Sequence, residues 1–216
     1  MPRGTVARPM PRAATSIDFG PALAHLRAAD PRMAALIDRH GPPTMAPSKN
    51  HIQSLAKAIV SQQLSTTAAS TIWNRVVALY PGKKFPKAEL LLATPDAQLR
   101  AAGLSGAKTA AIKDLARHVI EKRVVQRKLL AADDAAVSAM LLPVRGIGPW
   151  SVDMFLMFAL VRLDVLPVGD LGIRKGMQLH FGLRKLPEAP RMEALAAPWR
   201  PFRSVASWYM WRLLEQ

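Results

Sequence analysis

The sequence predicts an all-α fold, a two-lobed helical bundle with no β-domain. Three observations carry that expectation. Apolar residues recur at helical spacing in almost every segment, strand-like alternation is nearly absent, and the loops between are short. In chain order, helices are expected at 21–29, 31–40, 49–63, 66–79, 87–93, 95–102, 106–122, 132–142, 149–160, 171–181, 192–197 and 202–214. Ser48 precedes the third, Thr94-Pro95 opens the sixth and Gly103 closes it, and Pro149 sits in a first helical turn. The middle helices should form one lobe and the two chain ends the other, with a ligand cleft between them. Residues 17–216 then form a single domain. Residues 1–16, with Arg3, Arg8, Arg12, three prolines and no acid, are expected to be a disordered basic tail.

The chain has 216 residues, half of them hydrophobic, which is enough for a sizeable core. Lys plus Arg total 30 against 15 Asp plus Glu, a net charge of +15. Such an excess favours a polyanionic partner through steering and counterion release, although an arginine-rich composition or a charged tail gives the same sum. There is no cysteine, which excludes disulfides, thiolate zinc sites and iron–sulfur clusters. The histidines (His25, His40, His51, His118, His180) are scattered and lack metal-site spacing. No apolar run reaches the ~18 residues of a membrane span, so no membrane partner is expected.

Between Leu142 and Trp150 the chain needs a tight reversal. Gly146 and Gly148 flank an apolar Ile147, and Pro149 starts the next helix. The glycines let backbone approach a partner closely, and Ile147 can anchor the turn in the core. Exposed turn amides and a helix N-terminus bind phosphate oxygens without reading sequence. An ordinary turn between helices would use the same Gly-x-Gly. The fuller arrangement of Ile147 between glycines, followed by Pro149 and Trp150, is more specific.

This arrangement resembles the helix-hairpin-helix (HhH-GPD) DNA glycosylase superfamily, and within it the DNA-3-methyladenine glycosylase II (AlkA-like) branch. The resemblance rests on Gly146-Ile147-Gly148-Pro149-Trp150-Ser151, Leu166-Pro167-Val168-Gly169-Asp170-Leu171-Gly172 and Ser61-Gln62-Gln63-Leu64-Ser65. A fourth stretch begins Trp199-Arg200-Pro201-Phe202-Arg203-Ser204 and runs to Trp211. The motifs stand in family order across about residues 20 to 214. One departure is Val152, where the family commonly has a small residue; a looser or shifted helix contact is expected there.

The resemblance implies that Asp170 is the catalytic carboxylate. Cleaving an N-glycosidic bond builds positive charge on the sugar, which a nearby carboxylate stabilises while orienting water. Asp170 lies just before a helix start, a location whose dipole and N–H groups suit a negative charge. Taken alone it would be a plain N-cap aspartate. Asp153 and Asp164 are expected to be surface or capping groups.

The resemblance further implies a base pocket walled by Trp150 and Trp211, whose indole faces stack on a flat, cationic base. Trp199 and Trp208 are expected to serve as core. The loop with Gln63, Leu64 and Ser65 would enter the minor groove, Leu64 as a wedge. Gly146, Ile147 and Gly148 would bind phosphate. Apart from the resemblance, the helix stop and new start over Gly103–Lys108 offers amides and Lys108 for a second phosphate, with a solvated lysine as the alternative. In this family the hairpin often holds a monovalent cation (Na+ or K+) through main-chain carbonyls, here those of Leu142, Val144 and Ile147. No other cofactor is implied.

Lyases of this superfamily carry a Schiff-base lysine where this chain has Trp150. The expected enzyme is therefore a monofunctional glycosylase that flips out alkylated purines of the 3-methyladenine and 7-methylguanine type and leaves an abasic site. A downstream abasic-site endonuclease would take the product. The partner would be damaged double-stranded DNA and the protein a monomer, cytoplasmic and nucleoid-associated in a bacterium or nuclear in a eukaryote. Two other readings stay open: a glycosylase for deaminated or oxidised bases, and a non-catalytic DNA-binding module. Asp170 argues against the last, since binding gains nothing from a negative charge beside DNA.

Overall fold

The computed structural model describes residues 17–215, so the basic tail expected over 1–16 lies outside the described residues. The described residues form thirteen α-helices, two short 3-10 turns and no strand. In order the helices are α1 (Gly20–Ala29), α2 (Pro31–His40), α3 (His51–Ser61), α4 (Thr66–Ala78), α5 (Ala88–Ala93), α6 (Asp96–Ala101), α7 (Gly106–Ile120), α8 (Gln126–Ala131), α9 (Asp134–Leu141), α10 (Pro149–Phe158), α11 (Leu171–Phe181), α12 (Ala189–Ala196) and α13 (Arg203–Arg212). None is long and apolar enough to cross a membrane. The all-α expectation holds. Helix α8 was not expected, and α3 begins at an Asn50 cap rather than directly after Ser48.

Local chemistry explains the starts. Side chains of Asp30, Asn50, Ser65, Ser105, Asp133 and Asp170 each accept a backbone N–H in the first turn of α2, α3, α4, α7, α9 and α11. Each such cap contributes about 1 kcal/mol by satisfying an orphan donor. Helix α11 ends at Gly182, which is left-handed with φ 63°.

The buried side chains fall into two clusters. One draws on Leu55 to Val165 and centres on Ile112, Leu115, Leu129 and Leu141. The other joins both ends of the chain, Phe19 to Met45 with Leu166 to Met210. Trp199 and Trp208 are buried in the second cluster, 1% and 7% exposed, so both are core residues. Helices α11 and α13 approach most closely at Gly176, where an added Cβ would lie 2.3 Å from the Met210 carbonyl oxygen. The chain passes between clusters at Val165 and Leu166, just ahead of Asp170. Trp211 packs against both clusters. Asp170 and Trp211 therefore sit where the two packing units meet.

Candidate active site

The hairpin joins α9 to α10. Val144 and Ile147 are 1% and 6% exposed and plug the turn into the first cluster. Gly146 takes φ +79°, a backbone conformation that disfavours side chains. Within the turn the Ile147 N–H donates to the Val144 carbonyl at 3.0 Å, and the Arg145 N–H donates to Asp114 Oδ2 at 2.9 Å. Ile147 was expected to help bind phosphate, but its amide is spent inside the turn and its side chain is an anchor. Among the described residues, the amides of Gly146 and Gly148 have no such acceptor, nor do those of Trp150 and Ser151 in the first turn of α10. Val152 is only 2% exposed, so the α10 contact there is tight rather than loose.

Asp170 caps α11, yet its side chain does more than close a helix. Oδ1 accepts from the Ile173 N–H at 2.8 Å and from Trp211 Nε1 at 3.0 Å. Oδ2 accepts from Trp150 Nε1 at 2.6 Å. The carboxylate is 9% exposed, whereas Trp150 is 44% exposed. Trp211 in turn stacks on Phe158, with ring centroids 5.7 Å apart and planes 30° apart. Both tryptophans expected as pocket walls thus converge on the aspartate, through their N–H edges. Gly172 makes the fit possible: an added Cβ would meet Trp211 Cδ1 at 2.8 Å and Asp170 Oδ1 at 3.0 Å.

The loop that delivers Asp170 is held by α13. Arg203 Nε donates to Asp164 Oδ1 at 2.7 Å and Nη2 donates to the Asp164 carbonyl at 2.8 Å. Ser204 Oγ donates to the Arg162 carbonyl at 2.7 Å and accepts the Val165 N–H at 2.9 Å. Asp164, expected to be a surface or capping group, accepts the Arg203 N–H at the start of α13 and also pairs with Arg200 and Arg203. Asp153 departs from expectation. It is partly buried one helical turn beyond Trp150, and burial with the nearby Asp170 charge pushes its carboxyl up to about 6. The cue for it in the sequence was its three-residue spacing from Trp150.

Residues Gln62 to Ser65 form the loop between α3 and α4. Gln63 has φ 57° and Leu64 is 37% exposed, so Leu64 projects from the surface rather than into the core. Ser65 was expected to touch DNA, but its Oγ accepts the Ala68 N–H and caps α4. Gln62, quoted within the motif without a role of its own, donates through Nε2 to the Gly146 carbonyl at 2.8 Å and to Ser151 Oγ at 3.2 Å. Lys108 was expected to bind phosphate. Its Nζ instead donates to the carbonyls of Val60 and Gln62 at 2.8 and 2.7 Å, and desolvation lowers its pKa from the usual lysine value. Arg174 is likewise occupied, donating to the Pro187 carbonyl and Glu188.

Comparison with known proteins places the fold in a family. The family described as HhH-GPD superfamily base excision DNA repair protein matches residues 56–201. An alkylbase DNA glycosidase-like protein of Schizosaccharomyces pombe is 27% identical, over 91% of this chain and 94% of its own. The S. pombe 3-methyladenine DNA glycosylase Mag1, solved in complex with abasic DNA, superposes with a TM-score of 0.82 at 30% identity, covering 91% of this chain and 97% of that one. The crystal structure of a Bacillus halodurans DNA-3-methyladenine glycosidase superposes with a TM-score of 0.79 at 35% identity, covering 89% and 88%. The chain belongs to the HhH-GPD superfamily of base excision DNA repair proteins.

Proposed function

We propose that the protein is a monofunctional DNA glycosylase that hydrolyses the N-glycosidic bond of alkylated purines in double-stranded DNA. One observation carries the reading: a single carboxylate, Asp170, is gripped by two indole N–H groups beside a hairpin whose Gly146 and Gly148 amides have no acceptor among the described residues. The named activities of the S. pombe and B. halodurans relatives support the same substrate class.

Each part has a task. The Gly146 and Gly148 amides and the N-terminus of α10 hold phosphate, which sets register without reading bases. Leu64 enters the stack where the lesion leaves, offsetting the few kcal/mol that flipping costs. The flipped base meets the indoles, whose electron-rich faces favour a cationic N-alkylpurine. Alkylation has already weakened the bond, so little leaving-group activation is needed. As the base departs, Asp170 stabilises the positive charge on the sugar and orients water toward it. Oδ1 has two donors, so Oδ2, which has one donor and that from a partly exposed indole, is the oxygen that faces the sugar.

Trp150 stands where a lyase would present its amine, so no Schiff base forms and the product is an intact strand with an abasic site. That product is the substrate of an abasic-site endonuclease. The protein acts as a monomer without a chemical cofactor. The hairpin suits a monovalent cation: among the described residues the Leu142 and Ile147 carbonyls accept no turn bond, and the Val144 carbonyl accepts one and keeps a lone pair. Such a cation would brace the turn and lend positive potential to the phosphate site.

The test is base release from methylated duplex DNA. Free 3-methyladenine and 7-methylguanine are expected, with no strand cleavage and no covalent adduct under borohydride. Release of only deaminated or oxidised bases from a lesion panel would replace the alkylpurine assignment, and a trapped adduct would overturn the monofunctional one.

A further inference from the structure

The side of α7 toward the loop and hairpin carries Lys108, Ala111 and Asp114 at three-residue spacing, which places them along one face. Each touches a different part of the DNA-facing surface. Lys108 Nζ holds the carbonyls of Val60 and Gln62, at the end of α3 where the loop with Leu64 begins. A helix C-terminus leaves carbonyls without partners, and a lysine ammonium satisfies them while complementing the helix dipole. Ala111 lies under the hairpin: an added Cβ at Gly146 would be 3.0 Å from its Cβ. Asp114 Oδ2 accepts the Arg145 N–H of that hairpin. The helix beneath is fixed in the core through Ile112 and Leu115, both fully buried. Gln62 closes the circuit, since its backbone carbonyl takes Lys108 and its side chain donates to Gly146 and Ser151 across the gap.

We propose that Lys108 and Gln62 are positioning residues that lock the wedge loop to the phosphate-gripping hairpin, so that a gripped backbone brings Leu64 to the stack at one fixed offset. The proposal rests on the glycosylase reading for its substrate. Neither side chain needs to touch DNA. Of the three ammonium protons of Lys108, two are spent on carbonyls, which makes it a poor phosphate ligand. The Gln62 amide joins loop and hairpin directly, in addition to their shared attachment to α7. Loss of either bond should leave the grip intact and let the wedge wander, and a misplacement of about 1 Å is enough to cost a large factor in rate.

The test uses the full chain and a duplex carrying 2-aminopurine beside a tetrahydrofuran abasic analogue, whose fluorescence rises when the neighbouring step unstacks. Lys108→Met, Lys108→Arg and Gln62→Ala are compared with wild type. Lys108→Met is expected to remove most of the fluorescence rise and to slow single-turnover release of 7-methylguanine about tenfold or more. Affinity for undamaged duplex and its salt dependence should stay as in wild type. Lys108→Arg, which can still donate to two carbonyls, should restore most of both signals. If Lys108→Met lowers the salt slope by about one and leaves the fluorescence rise intact, Lys108 is a phosphate contact and the proposal is wrong. Unchanged flipping and release in Lys108→Met also overturn it. Should that variant not fold by thermal melting, Gln62→Ala is judged by the same criteria. Wild type that lights up 2-aminopurine but frees no base sinks the glycosylase reading alone, because the fluorescence reports positioning without chemistry.

Discussion

Two loops in this protein each lead into the N-terminus of a helix, and they are held by different balances of apolar and polar contact. The hairpin before α10 is anchored by apolar side chains, Val144 and Ile147, and its polar side-chain partners are Asp114 and Gln62 underneath. The loop before α11 also buries Val165 and Leu166, but adds ions and hydroxyls, through Asp164–Arg203 and Ser204, and it ends in a carboxylate held by three donors. The difference follows from what each loop must present. A phosphate grip needs bare backbone donors facing out, and any polar side chain nearby would compete for them. A carboxylate that acts on a transient positive charge needs its orientation fixed beforehand, since reorienting it during the reaction costs rate. An apolar plug serves the first task and directed hydrogen bonds serve the second.

The sharpest way to break this comparison is at the carboxylate. Asp170→Asn keeps size and most of the capping geometry while removing the charge. Single-turnover base release should fall by roughly a hundred- to a thousandfold, the usual scale for losing a preorganised electrostatic group. Duplex affinity should hold or improve slightly, because a negative charge beside DNA is gone. Persistent turnover would place the chemistry elsewhere.

Gly172→Ala tests whether the indole bonds set the carboxylate. The new methyl would sit 2.8 Å from Trp211 Cδ1, so the ring must move off Asp170. Release should slow by about tenfold. Overpacking typically costs about 1–3 kcal/mol, and the gain in helix propensity over glycine offsets part of it. Turnover number should drop with little change in DNA affinity, and an unaltered turnover number would show that the Trp211 bond is incidental.

Much of this layout was legible before any coordinates. Helical periodicity located most of the helices, because each buries one face. Gly146, Pro149 and Asp170 carry their signals locally: a positive φ, a first-turn proline and a cap. What stayed hidden depended on pairs far apart in sequence. Nothing near Asp164 announces Arg203, and nothing near Lys108 announces the carbonyls of Val60 and Gln62. An exposed-looking lysine beside a helix start reads as a phosphate ligand until the end of another helix is found in its reach. Ser65 failed for a simpler reason, since a serine before a helix is more often a cap than a contact. Helix α8 is as short as α5 and α6, but no proline opens it as Pro86 and Pro95 do for those two, and Val125 before it offers no cap.

On the hairpin side, Gly146→Ala should change grip and spare chemistry. The φ of +79° and the 3.0 Å approach to Ala111 both oppose a side chain. A non-glycine residue in that region costs about 1–2 kcal/mol, and distortion of the turn should misaim its amides. Affinity should weaken severalfold, equally on damaged and undamaged duplex, while single-turnover release at saturating protein stays near wild type. Loss confined to damaged DNA would mean that the hairpin takes part in recognising the lesion.

The smallest effect concerns Asp153, which lies between the two systems, on the hairpin's second helix but within the field of Asp170. Its carboxyl is raised from an ordinary value of 3.8 to about 6 in the folded protein. The folded state therefore holds the proton more tightly than the unfolded chain. Below about pH 4 both states are protonated and Asp153 costs nothing. As pH rises from about 4 to 6, the unfolded chain gives up the proton that the folded protein still holds, so stability falls, and it levels off above 6, where the folded protein carries a partly buried charge near another carboxylate. Asp153→Asn removes that cost. Allowing for solvent screening of a group that is not fully buried, the gain at pH 8 should be about 1 kcal/mol, or a rise in Tm of about 2–4 °C. The gain should shrink between pH 6 and pH 4 and vanish below. Thermal melts of both proteins across that range decide it. A stabilisation that is the same at pH 4 and pH 8 would come from packing, and the electrostatic link between the hairpin helix and Asp170 would then be absent.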